Sequence, residues 1–179
     1  MIVVIRRSVE GIILSTWVPI ITVVHTMLSF FAFLFGWSTV LRWSFRKQAR
    51  SKETAFLAAA VGATFTGFLF PFHGITLAIV IGVISSVVLV LTILARGKFG
   101  PSHRNWSIVF TLGLVISEYL LAFVAVAQAF AKDPALHALA PTLKEPPFGA
   151  TQGAVLVLFV VFSIFALRRV PVDRLAATI

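Results

Sequence analysis

The sequence predicts an all-α protein: a multi-span transmembrane helical bundle of about five spans, preceded by an N-terminal interfacial helix. Three observations predict it. The 179 residues are 59% hydrophobic and 12% charged, against about a quarter charged in a soluble domain, and mean hydropathy is +1.03. The apolar residues lie in runs of the length that a hydrocarbon core of about 30 Å demands. Basic residues stop most of these runs, as they do at membrane faces. Lipid offers bare backbone groups no partner, so the runs must be helices, the β-branched VVLVLTIL included.

The first unit is residues 1–19, MIVVIRRSVEGIILSTWVP. It is too short to span beside a separate first helix, and Pro19 interrupts it. It reads as a helix in the interface with Trp17 at headgroup level; one long tilted helix continuous with the first span is the alternative. No small-residue cleavage site follows the basic pair Arg6–Arg7, so the segment is expected to be retained. Residues 20–179 form the bundle. Its expected spans are Ile20 to Leu41, Ala55 to Phe70, Ile75 to Ala95, Trp106 to Phe130 and Gly149 to Leu167. The second is the shortest. Pro71 ends it and Gly74 relaxes the backbone, making PFHG a turn between antiparallel helices.

Small residues recur every four positions in the third span (Gly74, Ala78, Gly82, Ser86) and in the second (Ala59, Ala63, Gly67). Ala122, Ala125 and Ala129 share a face with Glu118 in the fourth, and Gly149 and Gly153 open the fifth. Such stripes let membrane helices approach closely. They point to the second and third helices as the most secure contact, with Gly82 between them. The 18 phenylalanines are expected to face lipid or fill gaps between helices.

The loop after the first span carries Arg42, Arg46, Lys47, Arg50 and Lys52, the third loop Arg96, Lys98 and Arg104, and the tail Arg168, Arg169 and Arg174. The positive-inside rule places these, and hence the C-terminus, in the cytoplasm, with PFHG outside. The net charge of +9 lies at the ends of apolar runs and forms no basic domain, so nucleic acid is not an expected partner. The expected partners are the bilayer and other membrane subunits or further copies of the chain. The lack of cysteine rules out disulfides, thiolate metal sites, covalent c-type haem and cysteine nucleophiles. No GxSxG, HExxH, P-loop or Rossmann pattern is present, which weighs against an enzyme.

Glu118, near the middle of the fourth span, is the outlier. A carboxylate there costs at least about 2.5 kcal/mol on insertion scales, so it should be protonated, paired or turned into the bundle. It reads either as a proton carrier, ion ligand or substrate anchor, or as a neutral acid bonded to Ser, Thr or Tyr between helices. His25, in the outer part of the first helix, and His73, in the outer turn, could flank a b-type haem or a metal. Gln128 and His137 are further polar candidates near the fourth, outer loop.

The run QAFAKDPALHALAPTLKEPPFGATQ and the earlier TGFLFPFHG resemble a family of small uncharacterised bacterial integral-membrane proteins over roughly the C-terminal two thirds. The resemblance implies the bacterial inner membrane and no activity. Three readings stand: an accessory or structural subunit packing against other membrane proteins, a small redox protein binding haem b or a metal at outer-side histidines, and a proton-coupled carrier using Glu118.

Overall fold

The computed structural model describes the backbone of residues 2–45, 50–71 and 76–170, and the side chains of these residues except 2–15 and 101. Among the described residues all regular structure is helical: α1 (Ile2–Phe45), α2 (Arg50–Gly67), α3 (Leu77–Arg96), a 3-10 turn (Pro101–His103), α4 (Arg104–Lys132), α5 (Pro134–Leu139) and α6 (Pro146–Leu167). The chain is an all-α helical bundle, as its composition and apolar runs predict.

Four helices are long and apolar enough to cross a membrane: α1 over Thr16–Phe45, α3, α4 and α6. The expected second span corresponds to α2, which differs for a physical reason. Its 18 residues reach about 27 Å, and its first turn holds Arg50, Lys52 and Glu53. It nevertheless runs antiparallel along α1, from Trp43 Nε1 bonded to Glu53 Oε1 at one end to His25 Nδ1 against Thr66 Oγ1 at the other. The five main helices alternate in direction. The expected boundary at Pro19 is not a helix break: α1 is one helix of 44 residues with Pro19 inside it, about 66 Å long. Near this point Thr22 Oγ1 donates to the Val18 carbonyl at 2.8 Å.

α4 is the centre of the bundle. It packs against α3, α6 and α1, and its buried residues, from Phe110, Leu114 and Val115 to Ser117, Glu118 and Leu120, point several ways round the helix. α1, α3 and α6 instead turn apolar side chains outward, as in the α3 ridge Leu77, Val80, Val83, Val87, Val90 and Leu94. Such a ridge suits hydrocarbon, not water. The phenylalanines divide as expected: Phe56, Phe110, Phe159 and Phe162 fill the core, while Phe30, Phe31 and Phe65 are exposed.

The small-residue stripes meet partners other than those expected. α2 packs mainly on α1 and only lightly on α3; a Cβ on Gly62 would meet Leu28, and one on Gly67 would meet His25. Gly82 faces the ring tip of Phe68, 3.1 Å from where its Cβ would stand, and not a neighbouring backbone. The closest approaches are elsewhere. A Cβ on Gly113 would collide with Thr92 Oγ1 across α3 and α4, and one on Gly36 with Glu118 across α1 and α4. Gly149 and Gly153 face open space.

The proline-rich segment before α6 is ordered by its own side chains. Asp133 Oδ1 accepts from the backbone N–H groups of Ala135 and Leu136, both at 3.0 Å, and Pro134 occupies the first turn of α5. Leu143 takes the left-handed conformation at φ 58°. Glu145 gathers that turn, accepting from Thr142 Oγ1 at 2.8 Å and from the N–H groups of Thr142 and Lys144. Desolvation raises the pKa of its carboxyl, but these hydrogen bonds together outweigh it and hold the group below the usual carboxylate range.

Candidate functional site

Glu118 stands 14 residues from Arg104 and 14 from Lys132, at the midpoint of α4, about 21 Å from either end. It is 0% exposed. Its carboxyl group lies against Gly36 of α1, where a Cβ would strike Oε2 and come within 2.6 Å of the Phe56 ring on α2. The glycine is therefore a structural requirement of the glutamate. Glycine inside a helix costs about 0.5–1 kcal/mol relative to alanine, and here it makes the room that the carboxyl group fills.

Neither carboxyl oxygen has a hydrogen-bond partner among the described residues. The expected bond to a serine, threonine or tyrosine is absent there. Nor is the glutamate isolated as an unsatisfied group: Thr39 Oγ1 and Ser117 Oγ are also buried without a partner, as is Gln152 Oε1. Thr39 lies one turn from Gly36 on α1, hence on the same face, and Ser117 precedes Glu118. Gln152 ties α6 to α4 through Nε2, which donates to the Phe123 carbonyl at 3.0 Å. Buried polar groups in folded proteins nearly always find partners, so these orphaned atoms on α1, α4 and α6 are not explained by packing alone.

Among the described residues the other candidates do not join this centre. Thr66 Oγ1 gives its proton to the Gly62 carbonyl at 2.8 Å, so it accepts from His25 Nδ1–H at 3.1 Å. The imidazole also stands edge-on to Phe70, centroids 5.4 Å apart. His25 thus serves the α1–α2 contact. His73 lies outside the described residues. Gln128 is exposed on α4 and His137 is exposed on α5. The described residues contain no group of three or more His, Cys, Asp or Glu that could hold a metal ion.

A second buried acid escaped the sequence reading. Glu53 directly follows the basic residues of the loop after the first span, yet it is 3% exposed. It sits in the first turn of α2 and accepts from Trp43 Nε1 at 2.9 Å. The available signal was its register: Glu53, Phe56, Leu57 and Ala60 share one helical face that is buried throughout.

No known protein family, no curated protein and no solved structure matches this chain.

Proposed function

We propose that the protein is a small proton-coupled carrier of the bacterial inner membrane and that Glu118 is the group that takes up and releases the proton. One observation carries this reading: a carboxyl group at the middle of the central helix, fully buried, with both oxygens unpartnered among the described residues. An unpaired charge in such surroundings is strongly disfavoured, so the closed bundle holds Glu118 as the neutral acid. Intramembrane acids commonly serve proton relays and ion pathways. Gly36 presents a flat surface to the carboxyl group, and movement of α1 away from α4 is the step that admits water. Thr39 and Ser117 supply hydroxyl groups on the two helices that would part.

The test is a proton-flux measurement. Vesicles reconstituted with the protein, loaded with a pH-sensitive dye and given an inside-negative potential, should acidify faster than empty vesicles. Vesicles holding Glu118→Gln should match the empty ones. A Gln variant as fast as the parent, or a parent no faster than empty vesicles, contradicts the reading.

An accessory-subunit role is the second reading, favoured by the outward apolar ridge of α3. That ridge suits a partner helix as well as lipid, and co-purification of a stoichiometric second protein from gentle detergent would support it.

In both readings the C-terminus is cytoplasmic. Arg50, Arg96, Lys98 and Arg168 gather at one end of the bundle: Arg96 bonds Thr54 across α2 and α3, Lys98 covers Trp106, and Arg168 lies over Phe165, which meets Phe45 at the end of α1. By the positive-inside rule this end faces the cytoplasm. A reporter enzyme active only in the cytoplasm should work when fused after residue 48 or residue 172 and fail after residue 143. Activity at residue 143 would invert the arrangement.

A further inference from the structure

At the basic end of the bundle, α1, α2, α3 and the start of α4 enclose a cleft of about 360 Å³. Trp43, Phe99 and Phe110 form one wall, each ring edge-on to the other two with centroids 5.4–5.5 Å apart. Arg50, Glu53, Ile93, Arg96 and Gly97 complete the lining. The carboxyl group of Glu53 is almost wholly buried, and its one hydrogen bond among the described residues comes from the Trp43 indole. Arg96 is fixed in place: one Nη donates to Thr54 Oγ1 at 2.6 Å and to the Arg50 carbonyl at 3.3 Å. A guanidinium has five N–H donors, so several remain for a ligand. The Arg50 side chain has no partner among the described residues.

This arrangement calls for a ligand of both signs. An anion alone would satisfy the arginines but bring its charge beside Glu53 and leave that buried acid unpaired, which is costly. A cation alone would suit Glu53 and the aromatic faces but meet two guanidinium groups. We infer that the cleft binds an aminoalkyl phosphate group, with the phosphate held by Arg50 and Arg96 and the ammonium held by Glu53 against the aromatic wall. The cleft lies where the helices end among basic residues, at the depth of lipid headgroups. The same chemistry occurs in an ethanolamine phospholipid and in a free aminoalkyl phosphate.

The test uses the full chain in detergent, stripped of lipid and offered equal amounts of phosphatidylethanolamine and phosphatidylglycerol, with native mass spectrometry as the readout. Phosphatidylethanolamine should be retained preferentially, and soluble glycerophosphoethanolamine should displace it. Retention of the lipid with no displacement identifies a lipid site, whereas binding of the soluble compound without retention of the lipid identifies a solute site; either supports the inference. Glu53→Gln keeps an acceptor for the Trp43 indole and removes the charge. It should reduce the preference for the ethanolamine headgroup about tenfold or more, the effect of losing a hydrogen bond to a charged group. Arg50→Gln, whose parent side chain has no partner to strand among the described residues, should weaken retention similarly and serves as the test if Glu53→Gln does not fold. Equal retention of the two lipids with no binding of the soluble compound, or a preference unchanged in the folded variants, would overturn the inference.

Discussion

Gly36→Ala should lower the stability of the bundle by about 1–3 kcal/mol, the range for forcing a methyl group into a filled core. Helix propensity works the other way, because alanine is better than glycine inside a helix by about 0.5–1 kcal/mol. Overpacking should win, since the new Cβ meets the Glu118 carboxyl group and the Phe56 ring, both fully buried. A second substitution identifies the cause. Glu118→Ala removes the carboxyl atoms that the Cβ would strike and opens space beside the Phe56 ring, so the double variant should recover part of the loss, with an interaction energy of the size found for residues in contact. Thermal unfolding in detergent reads all three proteins. An unchanged melting temperature for Gly36→Ala would mean that α1 does not lie on Glu118.

Glu118→Met should stabilise the fold. Methionine keeps an unbranched chain and adapts to irregular space, while the substitution removes two oxygens that have no partner among the described residues. A buried unsatisfied polar group costs about 1–3 kcal/mol, and the gain should be of that order. The proposed activity should be lost at the same time, the usual relation between a strained functional group and stability. A less stable Met variant would mean that the carboxyl group is hydrogen-bonded in the folded protein, and the case for an unsatisfied centre would end there.

Much of the architecture is legible in the residues. Run length and hydropathy identify α1, α3, α4 and α6, because in lipid a long apolar run has one structural solution. Glu118 is legible too, as the lone acid at the middle of a span. What sequence does not carry is which helix faces which. Gly82 lies in the most regular small-residue stripe yet meets only a ring tip, while Gly36, set among bulky residues in FLFGWST, makes the closest approach to the buried acid. A stripe shows that a helix can approach a neighbour; the neighbour is chosen by three-dimensional complementarity, here the fit of one carboxyl group against one missing side chain. Pro19 misleads for a related reason. Proline removes one helical hydrogen bond and crowds the preceding turn, but the remainder of a 44-residue helix can carry the chain through. Glu53 was hidden because the charged residues around it suggest a solvated loop, and only the register of α2 turns it inward.

Exchange of a proton at Glu118 while α4 stays folded is read by infrared difference spectroscopy of the reconstituted protein on transfer from H₂O to D₂O. A carboxylic-acid carbonyl band should shift on deuteration while the backbone amides of α4 remain protonated. That band should be absent from Glu118→Gln and retained in Glu53→Gln. A spectrum in which no such band is lost in Glu118→Gln, or one whose band shifts only as the α4 amides exchange, would contradict proton exchange at Glu118 in the folded helix.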